Sequence, residues 1–185
     1  MRLFIGIPLA PAVTERLAGL RKRQERVGDC LRWSSPESWH ITLQFLGTTS
    51  EPQHACVVVH LQQISARSLS VRIQGLGFFD RAGVFFADVE VSPQLQVLQQ
   101  SVTRATSRCG FVPEDRPYHP HITLARRKGQ SGGGIRDLKR RVEADGDAKT
   151  HFPAFTATEF LLYESFPGPS GSRYEVRARF PLSVI

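Results

Sequence analysis

The chain contains one tetrapeptide twice, as His40-Ile41-Thr42-Leu43 and as His121-Ile122-Thr123-Leu124. Each copy lies in a stretch that predicts a β-strand, Ser38–Leu46 for the first and His121–Arg126 for the second. One copy falls in each half of the chain of 185 residues. This arrangement indicates a duplicated unit in which a strand and a helix recur.

Strand geometry decides which side chains of the tetrapeptide can act together. Alternate residues of a strand point to the same face, so His40 and Thr42 share a face. His121 and Thr123 share a face in the same way. If the two strands lie side by side, two imidazoles and two hydroxyls converge on one cleft.

Two imidazoles can supply a general acid and a general base near neutral pH, and a threonine hydroxyl can bond a phosphoryl oxygen. The alternative is a pair of core strands whose histidines are merely hydrogen-bonded. The doubling of His-x-Thr argues against this alternative. Ile41, Leu43, Ile122 and Leu124 point the other way and are expected in the core.

The segments around the motifs predict a fold of the α+β class. Prolines and apolar spacing predict helices that begin near Pro11, Ser50 and Ser92, and a short basic helix over Ile135–Ala144. Most strands are linked as hairpins, with helices interspersed, which favours antiparallel sheets over a parallel α/β sheet. The other strands are expected at Arg2–Ile7, Leu31–Ser34, Leu69–Phe79, Val84–Val91, Phe155–Ser165 and Tyr174–Leu182. Gln130–Gly134 is expected to form a flexible loop near the site.

Composition excludes several classes of protein. A hydrophobic share of 41% against 22% charged residues excludes a disordered chain, and no apolar run is long enough to cross a membrane. The first residues lack the layout of a signal peptide, so a cytoplasmic location is expected. A formal net charge of +7, carried mainly by arginine, indicates a nucleic acid or nucleotide partner, with an ordinary solvated surface as the alternative.

The three cysteines, Cys30, Cys56 and Cys109, are odd in number, far apart and form no C-x-x-C pair. We therefore expect three reduced thiols, with neither a disulfide framework nor a zinc knuckle.

The chain resembles a known family, the 2H phosphoesterases, which are named for two His-x-Thr motifs. Within this family it looks like the RNA 2',3'-cyclic phosphodiesterases of bacteria and archaea, also called 2'-5' RNA ligases. The resemblance runs along nearly the whole chain, and the four motif positions match the family pattern. It rests on the segments Arg2–Ile7, Trp39–Gly47, Pro120–Arg126, Leu162–Ser165 and Tyr174–Val176.

The resemblance implies a pseudo-symmetric α+β fold, in which antiparallel sheets bring the two His-x-Thr strands to a central cleft. Residues 1–185 would form one domain of two intertwined lobes. The implied reaction is hydrolysis of RNA 2',3'-cyclic phosphate ends to 2'-phosphate ends, with His40 as proton donor and His121 as proton acceptor. Reverse 2'-5' ligation is a further implied activity.

The same resemblance implies no cofactor, no metal and no membrane. The partner would be RNA with a 2',3'-cyclic phosphate terminus, tRNA fragments among them, or cyclic nucleotides. The chain is expected to be a monomer. Thr42, Thr123 and Arg126 would bind the phosphate, and Phe45 would stack on a base.

Alternation leaves the last two of these roles open. Phe45 and Arg126 each stand five residues after a motif histidine, so each faces away from it unless the strand twists or bulges. A core phenylalanine is therefore the alternative for Phe45, and a surface side chain the alternative for Arg126.

Two other functions are weighed against phosphodiester hydrolysis. The first is an RNA- or nucleotide-binding module with little catalysis, which would have no need of two proton carriers. The second is a metal-dependent hydrolase built on the His-x-His pair His119 and His121, although no further ligand stands at a helpful spacing.

Overall fold

Ten strands and four helices make up the part of the chain described by the computed structural model, which covers residues 1–129, 133–149, 152–168 and 171–183. The helices are α1 (Pro11–Gln24), α2 (Glu51–Gln62), α3 (Pro93–Ser107) and α4 (Gly133–Ala144). The strands are β1 (Arg2–Pro8), β2 (Leu31–Trp33), β3 (His40–Thr48), β4 (Leu69–Val71), β5 (Ile73–Phe79), β6 (Val84–Val89), β7 (His121–Arg127), β8 (Phe155–Ala157), β9 (Glu159–Phe166) and β10 (Arg173–Pro181).

The strands form two four-stranded antiparallel sheets and one short pair. The first sheet has the order β10-β9-β1-β3, the second has the order β2-β7-β6-β5, and β4 pairs with β8. Each larger sheet contains one copy of the repeated tetrapeptide, on β3 and on β7. The α+β class with antiparallel sheets is thereby confirmed.

Apolar periodicity explains how the helices and the motif strands are anchored. Helix α1 begins at Pro11 and buries Val13, Leu17 and Leu20, the face that the spacing predicted. The four apolar motif residues are also buried, at most 2% exposed, as alternation predicted: Ile41, Leu43, Ile122 and Leu124.

Capping residues fix where two helices begin. Ser50 caps α2 through a reciprocal capping box with Gln53, and the Ser92 hydroxyl accepts a hydrogen bond from the backbone N–H of Leu95 in α3.

Two predicted strands are each divided in the structure. Leu69–Phe79 breaks at Arg72, and Phe155–Ser165 breaks at Thr158. The short pieces before these breaks, β4 and β8, pair with each other in a separate sheet. Alternation reports which face of a strand is buried and carries no information about its partner, so the breaks could not be predicted.

Two smaller predictions also need correction or restriction. The first motif strand was expected to end at Leu46, but β3 continues to Thr48, with Gly47 at a positive φ of 70°. The predicted loop Gln130–Gly134 falls largely on residues 130–132, outside the described residues, while Gly133 and Gly134 begin α4. None of the described helices is long and apolar enough to span a membrane.

A disulfide joins Cys56 and Cys109, so the prediction of three reduced thiols is wrong for these two. Helices α2 and α3 pack against each other, which brings the two Cα atoms to 5.8 Å despite a separation of 53 residues. That distance lies within the usual range for a disulfide. Spacing along the chain does not reveal this proximity. Cys30 is a free, exposed thiol.

Candidate active site

The two motif histidines occupy equivalent positions, each at the first residue of its strand. The Nδ1 atom of His40 lies 2.8 Å from the carbonyl oxygen of Ser38, and Nδ1 of His121 lies 2.8 Å from that of His119. A carbonyl can only accept, so each Nδ1 carries a hydrogen and donates it. In the neutral rings, the Nε2 atoms are therefore the basic nitrogens that can exchange a proton with a ligand.

Aromatic rings surround His40. The ring of Phe4 lies 4.5 Å away between centroids, and Tyr174 and Tyr163 follow at 5.2 and 5.8 Å. This burial lowers the pKa of His40 to about 4, against the hydrogen bond to Ser38, which raises it. Repulsion from His121, when that ring is protonated, and from Arg126 lowers the pKa of His40 further, so the two motif imidazoles are within electrostatic range of each other.

His121 has a comparable but more open setting. Phe79 and Phe86 lie 5.2 and 5.3 Å from its ring. Burial lowers the pKa of His121, and the bond to the backbone of His119 opposes the shift. The positive charges of His119 and Arg126 also lower this pKa, while Asp88 raises it. Both imidazoles are therefore neutral near pH 7 in the absence of a ligand.

The same bulge follows the histidine in both strands. Along β3, Gly6 is opposite Thr42 and Ile5 is opposite Gln44, so Leu43 has no partner. Along β7, Phe86 is opposite Thr123 and Phe85 is opposite Ala125, so Leu124 has no partner. The unpaired residue reverses the alternation after it, and the fifth residue after each histidine returns to the face of that histidine.

The bulges exclude a core position for Phe45 and turn both Phe45 and Arg126 toward the face of the motif histidines, while their roles in binding stay predictions. Phe45 is 57% exposed, lies 6.0 Å from the Phe4 ring and is not a core residue. Arg126 turns back toward Thr123, with Nη2 3.5 Å from the threonine Oγ1. Burial lowers the pKa of the Arg126 guanidinium, which still remains charged over the neutral range.

A cavity of about 1600 Å³ opens beside the motif strands. Thr42, Phe45 and His121 are among the residues that line it, and three arginines stand along its wall: Arg81, Arg104 and Arg116. An apolar, partly aromatic wall combined with guanidinium groups suits a ligand with flat rings and negative charge. The cavity volume exceeds the roughly 300–1,000 Å³ of a typical small-molecule pocket.

Tyr118 and Asp88, near the cavity, were not identified from the sequence, and His119 was identified only for the metal-dependent alternative. The Tyr118 hydroxyl donates to the backbone oxygen of Thr42 at 3.0 Å and links the two motif segments, and burial raises its pKa. The Nε2 atom of His119 lies 2.8 Å from Asp88, whose other carboxylate oxygen accepts from Gln74. Proximity to His121 in the sequence was the available signal for Tyr118. Asp88 carried none.

Gly6 is a further position that the sequence did not single out. A Cβ atom at Gly6 would lie 2.9 Å from the carbonyl oxygen of Ile41 and 3.3 Å from Cδ2 of His40. The absence of a side chain therefore lets β1 approach β3 closely beside the His40 ring.

Comparison with known proteins gives consistent matches. The sequence model of the 2'-5' RNA ligase superfamily matches residues 9–164. An RNA 2',3'-cyclic phosphodiesterase of Aeropyrum pernix is 36% identical over 118 residues, 62% of this chain and 67% of its own. One of Aquifex aeolicus is 30% identical over 148 residues, 76% of this chain and 78% of its own.

A crystal structure of Escherichia coli LigT complexed with 3'-AMP superposes on this chain with a TM-score of 0.77 at 23% identity. The superposition covers 98% of both chains, so the two proteins share their fold over almost their full lengths.

Proposed function

The chain belongs to the 2'-5' RNA ligase superfamily, and we propose that it is an enzyme that hydrolyses the 2',3'-cyclic phosphate ends of RNA to 2'-phosphate ends. One observation carries the proposal: two imidazoles, each with Nδ1 fixed by a backbone carbonyl and Nε2 left for proton transfer, lie within electrostatic range of each other, and His121 lines the cavity. A module that only bound RNA would have no use for two matched proton carriers.

The reaction needs proton transfer on both sides of the phosphorus. Water loses a proton as it attacks, and the ribose 3'-oxygen gains one as it leaves in line. Following the family resemblance, we assign Nε2 of His121 as the acceptor of the proton from water. Nε2 of His40 is then the donor of a proton to the 3'-oxygen. A positioned acid or base of this kind contributes roughly 10²–10⁴-fold to the rate.

The low pKa of His40 is compatible with a proton donor once substrate is bound. In the free protein, burial and the nearby positive charge of Arg126 favour the neutral ring of His40. A bound cyclic phosphate brings a negative charge, which favours the imidazolium and raises the pKa of His40. Substrate binding therefore favours the protonated form of His40, which can donate its proton to the leaving 3'-oxygen.

The remaining site residues hold the substrate in this scheme. Thr42 and Thr123 donate to the non-bridging phosphate oxygens, and Arg126, which already reaches toward Thr123, neutralises their charge. Phe45, exposed at the cavity wall, stacks on the terminal base. These four roles and the two histidine roles are supported by position and chemistry.

The substrate class follows from the same features. We propose RNA with a 2',3'-cyclic phosphate terminus, with tRNA fragments and cyclic nucleotides as candidates, and 2'-5' ligation as the reverse reaction. The names of the curated relatives and the 3'-AMP bound to LigT support this choice. The cytoplasmic location, the monomeric state and the single domain of two lobes stay predictions.

Incubation of the full chain with a short RNA ending in a 2',3'-cyclic phosphate tests the proposal, with excess chelator in a parallel reaction. End-group analysis should show a 2'-phosphate with and without chelator, while the same RNA with a 3'-phosphate end stays unchanged. Binding without turnover would favour the binding module. Turnover that chelator abolishes in the chain with its Cys56–Cys109 disulfide intact would favour the metal-dependent alternative at His119 and His121.

A further inference from the structure

A second cluster of reactive side chains lies away from the candidate active site, where α2 packs against α3. His60 stands one helical turn after Cys56, so both side chains lie on the same side of α2. The two sulfur atoms of Cys56 and Cys109 and a ring nitrogen of His60 all come within 4.8 Å of one another.

The His60 ring has an unsatisfied nitrogen in this cluster. Its Nδ1 atom is buried and has no hydrogen-bond partner among the described residues. Buried polar atoms are nearly always paired, so an unpaired nitrogen on an imidazole ring that lies beside two sulfur atoms points to a missing ligand. Imidazole nitrogen and cysteine sulfur are the donors that zinc prefers in proteins.

We propose that Cys56, Cys109 and His60 bind one zinc ion when the disulfide is reduced, with water as the fourth ligand. Zinc–sulfur bonds of about 2.3 Å and zinc–nitrogen bonds of about 2.0 Å in a tetrahedron place the ligand atoms about 3.4–3.8 Å apart. The three atoms already lie within 4.8 Å, so side-chain rotations can bring them to these distances once the S–S bond opens.

The exchange balances in electrons and protons. A dithiol reductant gives two electrons and two protons to the Cys56–Cys109 bond and is itself oxidised to a disulfide. Each cysteine thiol then releases one proton to solvent as its thiolate binds the ion. Two thiolates cancel the double positive charge of zinc, so the occupied site is neutral.

The position of the site gives the ion a structural role. Thr106, near the end of α3, donates its hydroxyl to the buried side chain of Gln44 on β3 at 2.8 Å. Zinc would therefore hold α2 to the helix that supports a motif strand, as the disulfide does in the oxidised chain. In a reducing compartment, where disulfides are rare, the metal form would be the prevailing one.

Cobalt substitution tests the proposal on the full wild-type chain. The protein is reduced with excess dithiol, freed of reductant without oxygen and titrated with Co²⁺. One equivalent should produce the visible bands of tetrahedral cobalt and a charge-transfer band for two thiolates. One equivalent of zinc per chain should displace the cobalt. The oxidised chain should produce neither the visible bands nor the charge-transfer band. Absence of both bands in the reduced chain would overturn the proposal.

Matched variants separate this site from other thiols and imidazoles. Cys56→Ser and Cys109→Ser should each reduce the charge-transfer band by about half or abolish it, and His60→Ala should weaken zinc binding at least tenfold. Cys30→Ser alters an exposed thiol, and His54→Ala alters another histidine of α2. Both variants should keep the wild-type charge-transfer band and the wild-type zinc affinity. Tight binding that survives His60→Ala, or that Cys30→Ser removes, would count against the assignment. RNA turnover is not the readout, so the outcome does not depend on the proposed reaction.

Discussion

Thr42 and Thr123 each stand on the same face as a motif histidine and test the phosphate-binding scheme at the scale of single residues. Replacement of either by Val keeps the β-branched shape and removes one hydroxyl donor. By comparison with oxyanion-hole donors, each change should cost about 2–4 kcal/mol of transition-state stabilisation. Single-turnover rates measure this effect. Thr48→Val, at the exposed end of β3, is the control, and wild-type turnover in both motif variants would rule the roles out.

Arg126 tests the electrostatics of the histidine pair. Its positive charge lowers the pKa of both His40 and His121, so Arg126→Gln should raise both values. Proton NMR titration of the imidazole Cε1–H signals measures the shift in the free protein. Arg127→Gln, whose side chain packs against Gly83, should leave both pKa values unchanged. A downward shift in Arg126→Gln would contradict the geometry.

The identities of His40, His121, Thr42 and Thr123 could be predicted because a repeated pattern marks them. The direction of Phe45 could not, since it depends on an unpaired residue at Leu43 that no property of the sequence reveals. The Cys56–Cys109 disulfide was missed for a related reason. It depends on how two helices pack, and the spacing of residues along the chain does not report that.

At the scale of secondary-structure elements, the close approach of β1 to β3 supports the position of His40. Gly6→Ala would place a Cβ atom 2.9 Å from the Ile41 carbonyl oxygen, which must push the strands apart. We expect a loss of about 1–3 kcal/mol in the free energy of unfolding, typical of overpacking, together with slower turnover.

Gly75→Ala is the matched control for this change, because a Cβ atom at Gly75 in β5 meets nothing within 4 Å. Denaturant unfolding and steady-state rates compare the two variants. Equal stability and equal turnover in Gly6→Ala and Gly75→Ala would show that close approach at Gly6 does not matter.

Elements with strong periodicity or capping signals could be predicted, and those defined by their partners could not. Helix α2 begins after Ser50 because the capping box is local in sequence. By contrast, β4 and β8 are separate strands only because they pair with each other across the chain. The local sequence of a strand determines its burial pattern, but it does not identify the strand with which it pairs.

At the scale of the whole molecule, the basic surfaces of α1 and α4 are expected to attract RNA. The residues concerned are Arg16, Arg21, Lys22 and Arg23 on α1, Arg26 just after the end of α1, and Arg136, Lys139, Arg140 and Arg141 on α4. Lys139 of α4 contacts two residues that line the cavity: its Nζ lies 3.9 Å from Asp80 and 5.8 Å from the Phe78 ring centroid. On α1, Arg21 pairs with Glu25 and Arg23 pairs with Asp145, which reduces its net charge.

RNA affinity should therefore fall as the salt concentration rises. Protein binding releases cations that were condensed on the RNA, and added salt makes this release less favourable. Arg136→Gln with Lys139→Gln should weaken binding and reduce the slope of log affinity against log salt by about one for each phosphate that the variant no longer neutralises. Arg21→Gln with Lys22→Gln is the comparison and should change the slope less. Fluorescence anisotropy with labelled RNA measures both slopes, and an affinity independent of salt would contradict the prediction.

The central claim is that His40 and His121 have opposite proton-transfer roles, and the pH profile of cyclic phosphate hydrolysis tests it most directly. The wild-type chain should give a bell-shaped profile, because the reaction needs one imidazolium and one neutral imidazole. His40→Ala should lose the fall on the basic side and His121→Ala the fall on the acidic side, each with a rate lower by roughly 10²–10⁴-fold. If His40→Ala instead lost the acidic-side fall and His121→Ala the basic-side fall, the donor and acceptor roles would be reversed. A wild-type rate in either variant would contradict the mechanism.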